Sequence, residues 1–122
     1  KECPVLVFVN GGAWVIGNEA WAALSGKVLD QCGVLVVIPD YRNFPQATAA
    51  DMTEDVDNAI KWVFANIEFF GGDSKDVYLC GHSTGAHISA LMLLNKAAKA
   101  AAFPYCPKVR RGVISRFLVP PV

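Results

Sequence analysis

The sequence predicts a single α/β domain in which a parallel sheet carries helices on both faces. Short apolar runs alternate with longer segments of helical periodicity along most of the chain. The apolar runs are not interrupted by polar residues, which is typical of parallel strands buried on both faces. A chain of 122 residues is about the size of one domain, so we expect no second one.

The first half of the chain contains two predicted strands with a helix between them. Val5–Val9 is a run of five apolar residues, and the Asn-Gly-Gly that follows ends it. The segment from about residue 19 to residue 31 is predicted to be helical and to end before Gly33. The second strand is Val34–Ile38, which a proline closes.

The second half contains two long helices around a third strand. Apolar residues recur at helical spacing from Asp51 to about Phe69, with acidic residues in the first turn, where the helix dipole favours them. The third strand is Val77–Cys80, and a helix is expected from Thr84 to about Ala98. A fourth apolar stretch, Val113–Leu118, is a candidate strand.

Composition and charge exclude several classes of protein. The chain is 53% hydrophobic and 18% charged, which excludes a disordered segment, and no apolar run approaches a membrane span. Zero net charge conceals an uneven distribution, since residues 96–122 contain six basic residues and no acidic one. This basic tail lacks interleaved aromatic residues and any nucleic-acid motif, so we expect a solvated face and no nucleic-acid partner.

The four cysteines predict neither a metal site nor a disulfide framework. Cys3, Cys32, Cys80 and Cys106 are too far apart for a CxxC pattern. We therefore expect free thiols, with Cys80 acting as a small apolar residue in its strand. No metal and no cofactor is predicted.

The most informative motif follows the third strand. Gly81-His82-Ser83-Thr84-Gly85 is a G-x-S-x-G pattern between a predicted strand and a predicted helix, which is the context of a nucleophile elbow. In such an elbow, a strained turn lifts the serine hydroxyl above the sheet, and the flanking glycines avoid steric clashes. Ser83 is therefore the candidate catalytic residue, and Gly81 and Gly85 are the elbow glycines. The competing interpretation is a glycine turn that contains serine by chance.

A second glycine-rich break follows the first strand, at residues 10–14. Acyl transfer needs backbone N–H groups arranged around the developing oxyanion, and a small-residue loop after this strand supplies them in esterases. The amide of Thr84, directly after the candidate nucleophile, would add a further donor at a helix N-terminus. Taken alone, two glycines after a strand indicate only a turn.

Four stretches of the chain resemble the α/β-hydrolase carboxylesterases and, within them, the isoprenylcysteine methylesterases. They are Asn-Gly-Gly-Ala-Trp at 10–14, Asp-Tyr-Arg-Asn-Phe-Pro-Gln at 40–46, Phe-Gly-Gly-Asp at 70–73 and Gly-His-Ser-Thr-Gly-Ala-His at 81–87. The resemblance implies a partial α/β-hydrolase domain over residues 1–122. Residues 1–95 match the family, and residues 96–122 form a divergent basic tail.

Carried over residue by residue, the resemblance implies an active site. Ser83 matches the nucleophile, and the backbone amides of Gly12, Ala13 and Thr84 match the oxyanion hole. Asn10 stands where the wider family has histidine, and Ala13 stands where it has a third glycine. Neither departure removes a backbone N–H group.

The resemblance also implies a substrate and a location. The substrate would be a prenylated-cysteine methyl ester or another small-molecule ester. The full-length protein would associate with the surface of the endoplasmic reticulum or Golgi membrane, with the cytoplasm as the alternative. Trp14 is the candidate substrate-binding residue, and with Trp21 and Phe44 it could line an apolar pocket. Ordinary packing is the alternative for these three aromatic residues.

The acid and the base of a catalytic triad are missing. In this fold they follow the serine in the chain, yet no carboxylate follows Asp76 and the one later histidine is His87. His87 lies four residues after Ser83, in the predicted helix that begins at Thr84, which we call the elbow helix. We expect both His87 and His82 to be hydrogen-bonded structural histidines.

The earlier carboxylates have structural explanations. Asp51 and Asp55 are expected to cap a helix or to interact with its dipole. Asp40 and Arg42 are expected to form a structural ion pair near the site, with contact to the substrate as the alternative.

The function predicted for the whole protein is serine hydrolysis of a carboxylic ester. The chain begins at Lys1 rather than methionine, so we expect a fragment, and because it lacks the acid and the base of the triad we expect it to be inactive on its own. Two alternatives stay open: an arylformamidase-like amide hydrolase, and a truncated, inactive interaction module.

Overall fold

The computed structural model describes residues 2–17, 19–102 and 117–118; for residues 19, 21, 25, 102, 117 and 118 it describes the backbone alone. The strands are β1 (Cys3–Val9), β2 (Leu35–Val37), β3 (Gly72–Gly81) and β4 (Phe117–Leu118). The α-helices are α1 (Ala23–Gln31), α2 (Ala49–Asn66) and α3 (Thr84–Ala102). Short 3₁₀ helices, Glu19–Ala22 and Ile67–Phe70, precede α1 and follow α2.

The three predicted helices and the first three predicted strands are present, with shifted bounds. The second strand is shorter than predicted, and the third begins five residues earlier. Of the predicted fourth strand, only Phe117–Leu118 belongs to the described residues. Among the described helices, none is long and apolar enough to cross a membrane.

All four strands are parallel, in the order β2-β1-β3-β4. The two central strands pair over most of their length, from Val5 opposite Val77 to Val9 opposite Gly81. Both strands therefore end at the same edge of the sheet. The two glycine-rich breaks that follow them lie side by side, as the carboxyl ends of parallel strands require.

One face of the sheet forms the core. Every second residue of β1, beginning with Val5, is at most 1% exposed and belongs to a cluster with residues of β3, α2 and α3. The opposite face is covered differently. There α1 packs on β2, where Gly26 lies against the side chains of Val36 and Ile38.

The prediction that Val5–Val9 is buried on both faces was wrong. Leu6 and Phe8, like Tyr78 and Cys80 in β3, are only half-buried. The helix on this face, α1, packs mainly on β2, which is an edge strand of the three strands β2, β1 and β3. Among the residues of β1, β2 and β3, those that face the core are therefore the ones that are fully enclosed.

Helix α2 begins at Ala49, because Thr48 caps it. The Thr48 hydroxyl accepts a hydrogen bond from the Asp51 amide, and the Asp51 carboxylate accepts one from the Thr48 amide. This capping box satisfies N–H groups that have no partner inside the helix. The Thr48 hydroxyl also donates to the Asp51 carboxylate at 2.7 Å, and the hydrogen bonds from the Thr48 amide and hydroxyl lower the pKa of Asp51. The capping role predicted for Asp51 is confirmed.

An ion-pair network joins α2 to α3. The Asp57 carboxylate lies 2.7 Å from Lys61 Nζ and 2.6 Å from Lys96 Nζ. Burial opposes ionisation of Asp57, but the two ammonium groups outweigh burial and lower its pKa. Lys96, expected to lie on a solvated basic face, has an exposed side chain whose charge is partly neutralised by this contact.

Candidate active site

Ser83 occupies a strained turn between β3 and α3. Its φ angle is 53°, in the left-handed region that costs a non-glycine residue about 1–2 kcal/mol. The side chain is exposed at the carboxyl edge of the sheet. Strain of this kind persists only where the surrounding structure imposes it, and it is the geometry predicted for a nucleophile elbow.

The two elbow glycines are required by close backbone contacts. A Cβ on Gly81 would lie 2.5 Å from the Cα of Ala86, and one on Gly85 would lie 2.5 Å from the carbonyl oxygen of Asn10. A Cβ on Gly85 would also overlap the carbonyl oxygen of Val9. Because the obstructing atoms belong to the backbone, no side-chain rotation could relieve the overlap. The elbow helix therefore packs directly onto the end of β1.

Residues 10–17, which we call the glycine loop, pass beside the nucleophile. A Cβ on Gly11 would lie 3.0 Å from Ser83 Cβ and 2.9 Å from His82 Nδ1. The His82 amide donates to the Val9 carbonyl oxygen at 3.0 Å, which joins the two turns at their base. Glycine at position 11 is what allows this close approach.

The glycine loop presents two backbone amides away from its own interior. The Gly12 carbonyl accepts from the amides of Val15 and Ile16, at 3.1 and 2.9 Å. In a trans peptide the N–H group points opposite to the carbonyl, so the Ala13 N–H is directed away from residues 15–16. By the same geometry, the Gly11 carbonyl oxygen lies close to Gly17, and the Gly12 N–H points away from that residue.

Two residues of the glycine loop share the strain of Ser83. Ala13 and Trp14 have φ angles of 51° and 63°. Consecutive non-glycine residues in the left-handed region are uncommon, and each costs about 1–2 kcal/mol. The tight turn that directs the amides outward is therefore not the relaxed conformation of this segment.

Thr84 is the first residue of α3, and its side chain is 2% exposed. The first amides of a helix have no carbonyl partner within the helix, so the Thr84 N–H is available beside Ser83. Its hydroxyl Oγ1 is buried without a hydrogen-bond partner in the described part of the chain.

His87 packs against Trp14, and among residues 2–17 and 19–102 its imidazole has no partner for the hydrogen bond that we expected. The two rings meet edge to face, with centroids 5.6 Å apart and planes at 80°. This contact connects the elbow helix to the glycine loop. His87 thus supports the site from one turn beyond Ser83. Its partner is an aromatic ring and not a carboxylate.

Comparisons with known proteins agree with this geometry. A family model described as BD-FAE matches residues 1–107. The chain belongs to the BD-FAE family. It is 50% identical over 99 residues to a probable isoprenylcysteine alpha-carbonyl methylesterase of Oryza sativa subsp. japonica, covering 81% of this chain and 24% of that protein. It is 51% identical over 96 residues to the isoprenylcysteine alpha-carbonyl methylesterase of Arabidopsis thaliana, covering 79% and 22%. The predicted family resemblance is confirmed, and the chain spans about a quarter of the length of these relatives.

Solved structures similar to this BD-FAE chain are esterases. The Pyrobaculum calidifontis esterase matches with a TM-score of 0.74 and 27% identity, over 82% of this chain and 33% of that one. The esterase Est2 of Thermogutta terrifontis matches with a TM-score of 0.68 and 27% identity, over 73% and 32%. These matches confirm the partial α/β-hydrolase fold.

Arg42 of the BD-FAE chain, predicted to pair with Asp40, forms an ion pair with Asp55. The guanidinium donates from Nε at 2.9 Å and from Nη2 at 2.8 Å to the two carboxylate oxygens. The hydrogen bond from Arg42 is the main cause of the lowered pKa of Asp55. Asp55 therefore anchors the segment before α2, which replaces the capping role predicted for it.

Apolar side chains surround the exposed side of the glycine loop. Trp14 is 41% exposed, Val15 56%, Ile16 59% and Phe44 60%. Trp21, predicted to join them, has a side chain outside the described residues. Within residues 2–17 and 19–102, acidic residues, histidines and cysteines nowhere form a group of three that could hold a metal ion.

Proposed function

We propose that the protein containing this chain is a serine carboxylesterase with Ser83 as its nucleophile. The observation that carries the proposal is the position of Ser83, strained at φ 53° and directly beside a loop whose amides face outward. A carboxylesterase needs these two parts together: a nucleophile lifted out of the sheet and preorganised N–H donors next to it.

In the proposed reaction, Ser83 Oγ attacks the ester carbonyl carbon as its proton passes to a base. The carbonyl electron pair moves to oxygen, where the amides of Gly12, Ala13 and Thr84 stabilise the negative charge. Collapse of the tetrahedral intermediate expels the alcohol, which takes up a proton. Water then attacks the acyl-serine, releases the acid and regenerates the serine.

The general base and its carboxylate partner are proposed to lie outside these 122 residues. No carboxylate follows Asp76, and His87 packs against an aromatic ring. Loss of the histidine base alone lowers turnover by about 10⁶-fold in a comparable serine hydrolase. The chain alone should therefore hydrolyse esters very slowly or not at all.

The proposed substrate is a prenylated-cysteine methyl ester. Two observations support it: the names of the two plant relatives, and the exposed apolar residues around the glycine loop, which suit a hydrocarbon chain. Because such a substrate carries a long hydrocarbon chain, we propose that the whole protein works at the endoplasmic reticulum or Golgi membrane. Microscopy of a fluorescent fusion with organelle markers tests this location, and a diffuse cytoplasmic signal would contradict it.

The function is tested by measuring methanol release from farnesylcysteine methyl ester by the full-length protein. Cysteine methyl ester without the farnesyl group is the matched substrate. We expect a much higher kcat/KM for the farnesylated ester and no release by the Ser83→Ala variant. Equal rates on both esters would refute the substrate. Activity that persists in Ser83→Ala would refute the nucleophile.

A further inference from the structure

The segment just before α2 contacts the glycine loop at three places. The Tyr41 hydroxyl donates to the Asn10 carbonyl oxygen at 2.7 Å, Asn43 Nδ2 donates to the Gly17 carbonyl oxygen at 3.0 Å, and the Phe44 amide donates to the Trp14 carbonyl oxygen at 2.7 Å. We call residues 41–44 the strap. Its three donors thus bind the start of the glycine loop at Asn10, the middle at Trp14 and the end at Gly17.

The strap is itself held firmly. Arg42 forms a bidentate ion pair with Asp55, which precedes the buried residue Val56 in α2. The Arg42 amide adds a third hydrogen bond to the same carboxylate at 3.2 Å. On the other side, the Asn43 carbonyl accepts from the amides of Gln46 and Ala47. The strap therefore transmits the position of α2 to the glycine loop.

The glycine loop needs such support because its conformation is strained. Ala13 and Trp14 are both in the left-handed region, and two hydrogen bonds within the loop converge on the Gly12 carbonyl. Backbone strain persists when surrounding contacts impose it. The strap supplies contacts on both sides of the strained pair, at Asn10 and Gly17.

We propose that Tyr41 and Asn43 are positioning residues that keep the glycine loop in the conformation presenting the Gly12 and Ala13 amides beside Ser83. Neither side chain would touch the substrate. The role of those amides in catalysis rests on the proposed function. The stabilisation of the loop conformation by Tyr41 and Asn43 is a property of the fold and is measured separately.

The test compares Asn43→Asp with Asn66→Asp in the full-length protein. Both asparagines donate from Nδ2 to a backbone carbonyl oxygen, at 3.0 Å to Gly17 and at 2.8 Å to Trp62. Both substitutions replace that donor with a negative oxygen in an isosteric side chain. Only the first touches the glycine loop. Tyr41→Phe removes one hydroxyl from the other end of the strap, and Asn43→Gln restores a donor.

The first measurement is amide hydrogen exchange of peptides covering residues 10–17. Asn43→Asp and Tyr41→Phe should accelerate exchange there, and Asn66→Asp should not. The second measurement is steady-state kinetics. Removing one oxyanion donor costs about 10²–10³ in kcat, so a loosened loop should lower kcat at least about 10-fold with KM nearly unchanged. Asn43→Gln should recover part of the loss.

The outcomes separate the two proposals. If Asn43→Asp and Tyr41→Phe left hydrogen exchange in residues 10–17 unchanged, the positioning role of the strap would be overturned whatever the activity. In an active protein, a kcat of Asn43→Asp equal to that of the Asn66→Asp control would also overturn it. If Asn43→Asp and Asn66→Asp lowered the Tm equally and had the same kcat, the strap would stabilise the fold only in general, and its positioning role would be refuted. A wild-type protein without Ser83-dependent activity, but with faster loop exchange in Asn43→Asp, would refute the esterase proposal and leave the hold on the loop intact.

Discussion

The contact between Gly85 and the end of β1 gives the sharpest stability prediction. A methyl group there would lie 2.5 Å from the Asn10 carbonyl oxygen and 2.6 Å from the Val9 carbonyl carbon. Ordinary carbon contacts are about 3.5 Å, so Gly85→Ala must move the elbow helix about 1 Å from the strand. Overpacking of this kind costs about 3 kcal/mol, and the better helix propensity of alanine returns about 1 kcal/mol. We expect a net loss of about 2 kcal/mol.

The matched control is Gly26→Ala in α1. A Cβ on Gly26 would meet Ile38 Cδ1 at 3.4 Å, which is ordinary contact. The same substitution in a helix should therefore raise stability by up to about 1 kcal/mol. Urea unfolding of the two variants and of the wild-type protein measures both effects.

The free energy of unfolding should therefore fall in Gly85→Ala and rise in Gly26→Ala. If Gly85→Ala unfolded at the same urea concentration as Gly26→Ala, the packing of α3 on the end of β1 would be contradicted. The proposed function adds a second expectation, because a displacement of about 1 Å near reacting groups can lower kcat/KM about 10²-fold. An active and stable Gly85→Ala variant would refute both the contact and its catalytic consequence.

Three further predictions concern single hydrogen bonds and charges. Thr48→Ala removes the cap of α2 and should cost about 1 kcal/mol in urea unfolding, whereas Thr48→Ser should cost little. Because Arg42 holds the pKa of Asp55 below its ordinary value, the pair stabilises the fold fully above about pH 4 and loses that effect as the pH falls through the lowered pKa. Asp55→Asn should thus lower the Tm more at pH 7 than at pH 2, and an equal loss at both values would contradict the ion pair. The Ser89 hydroxyl is fully buried and has no hydrogen-bond partner in the described part of the chain, so Ser89→Ala should leave the Tm unchanged or raise it.

Much of the fold was predictable because its signals are local. Apolar runs marked the strands, and glycines marked their ends, since a chain reverses direction most easily where no Cβ interferes. The bounds were less predictable. Residues Gly72–Asp76 extend β3 despite their polar character, because Cys3 pairs with Gly72 across the sheet. The start of α2 was predicted two residues late, because the capping hydrogen bond of Thr48 lies before the first apolar residue of the pattern.

In the candidate site, too, the local features were predictable from the sequence and the contacts between distant residues were not. Ser83 and the glycine loop follow directly from short motifs with strict steric requirements, and the structure brings them together. The contacts that support them join residues distant in sequence: Arg42 with Asp55, and Tyr41 with Asn10 thirty-one positions earlier. Periodicity carries no information about such pairs. His87 illustrates the limit, because sequence placed it correctly on the elbow helix but could not indicate Trp14 as its partner.

The central claim is that Ser83 is the nucleophile of a carboxylesterase. The most direct measurement is peptide mass spectrometry of the full-length protein after treatment with a fluorophosphonate, which bonds covalently to an activated serine. We predict a stoichiometric adduct on Ser83, none in the Ser83→Ala variant, and loss of ester hydrolysis in step with labelling. An adduct on another residue, or full labelling with hydrolysis unchanged, would contradict the claim.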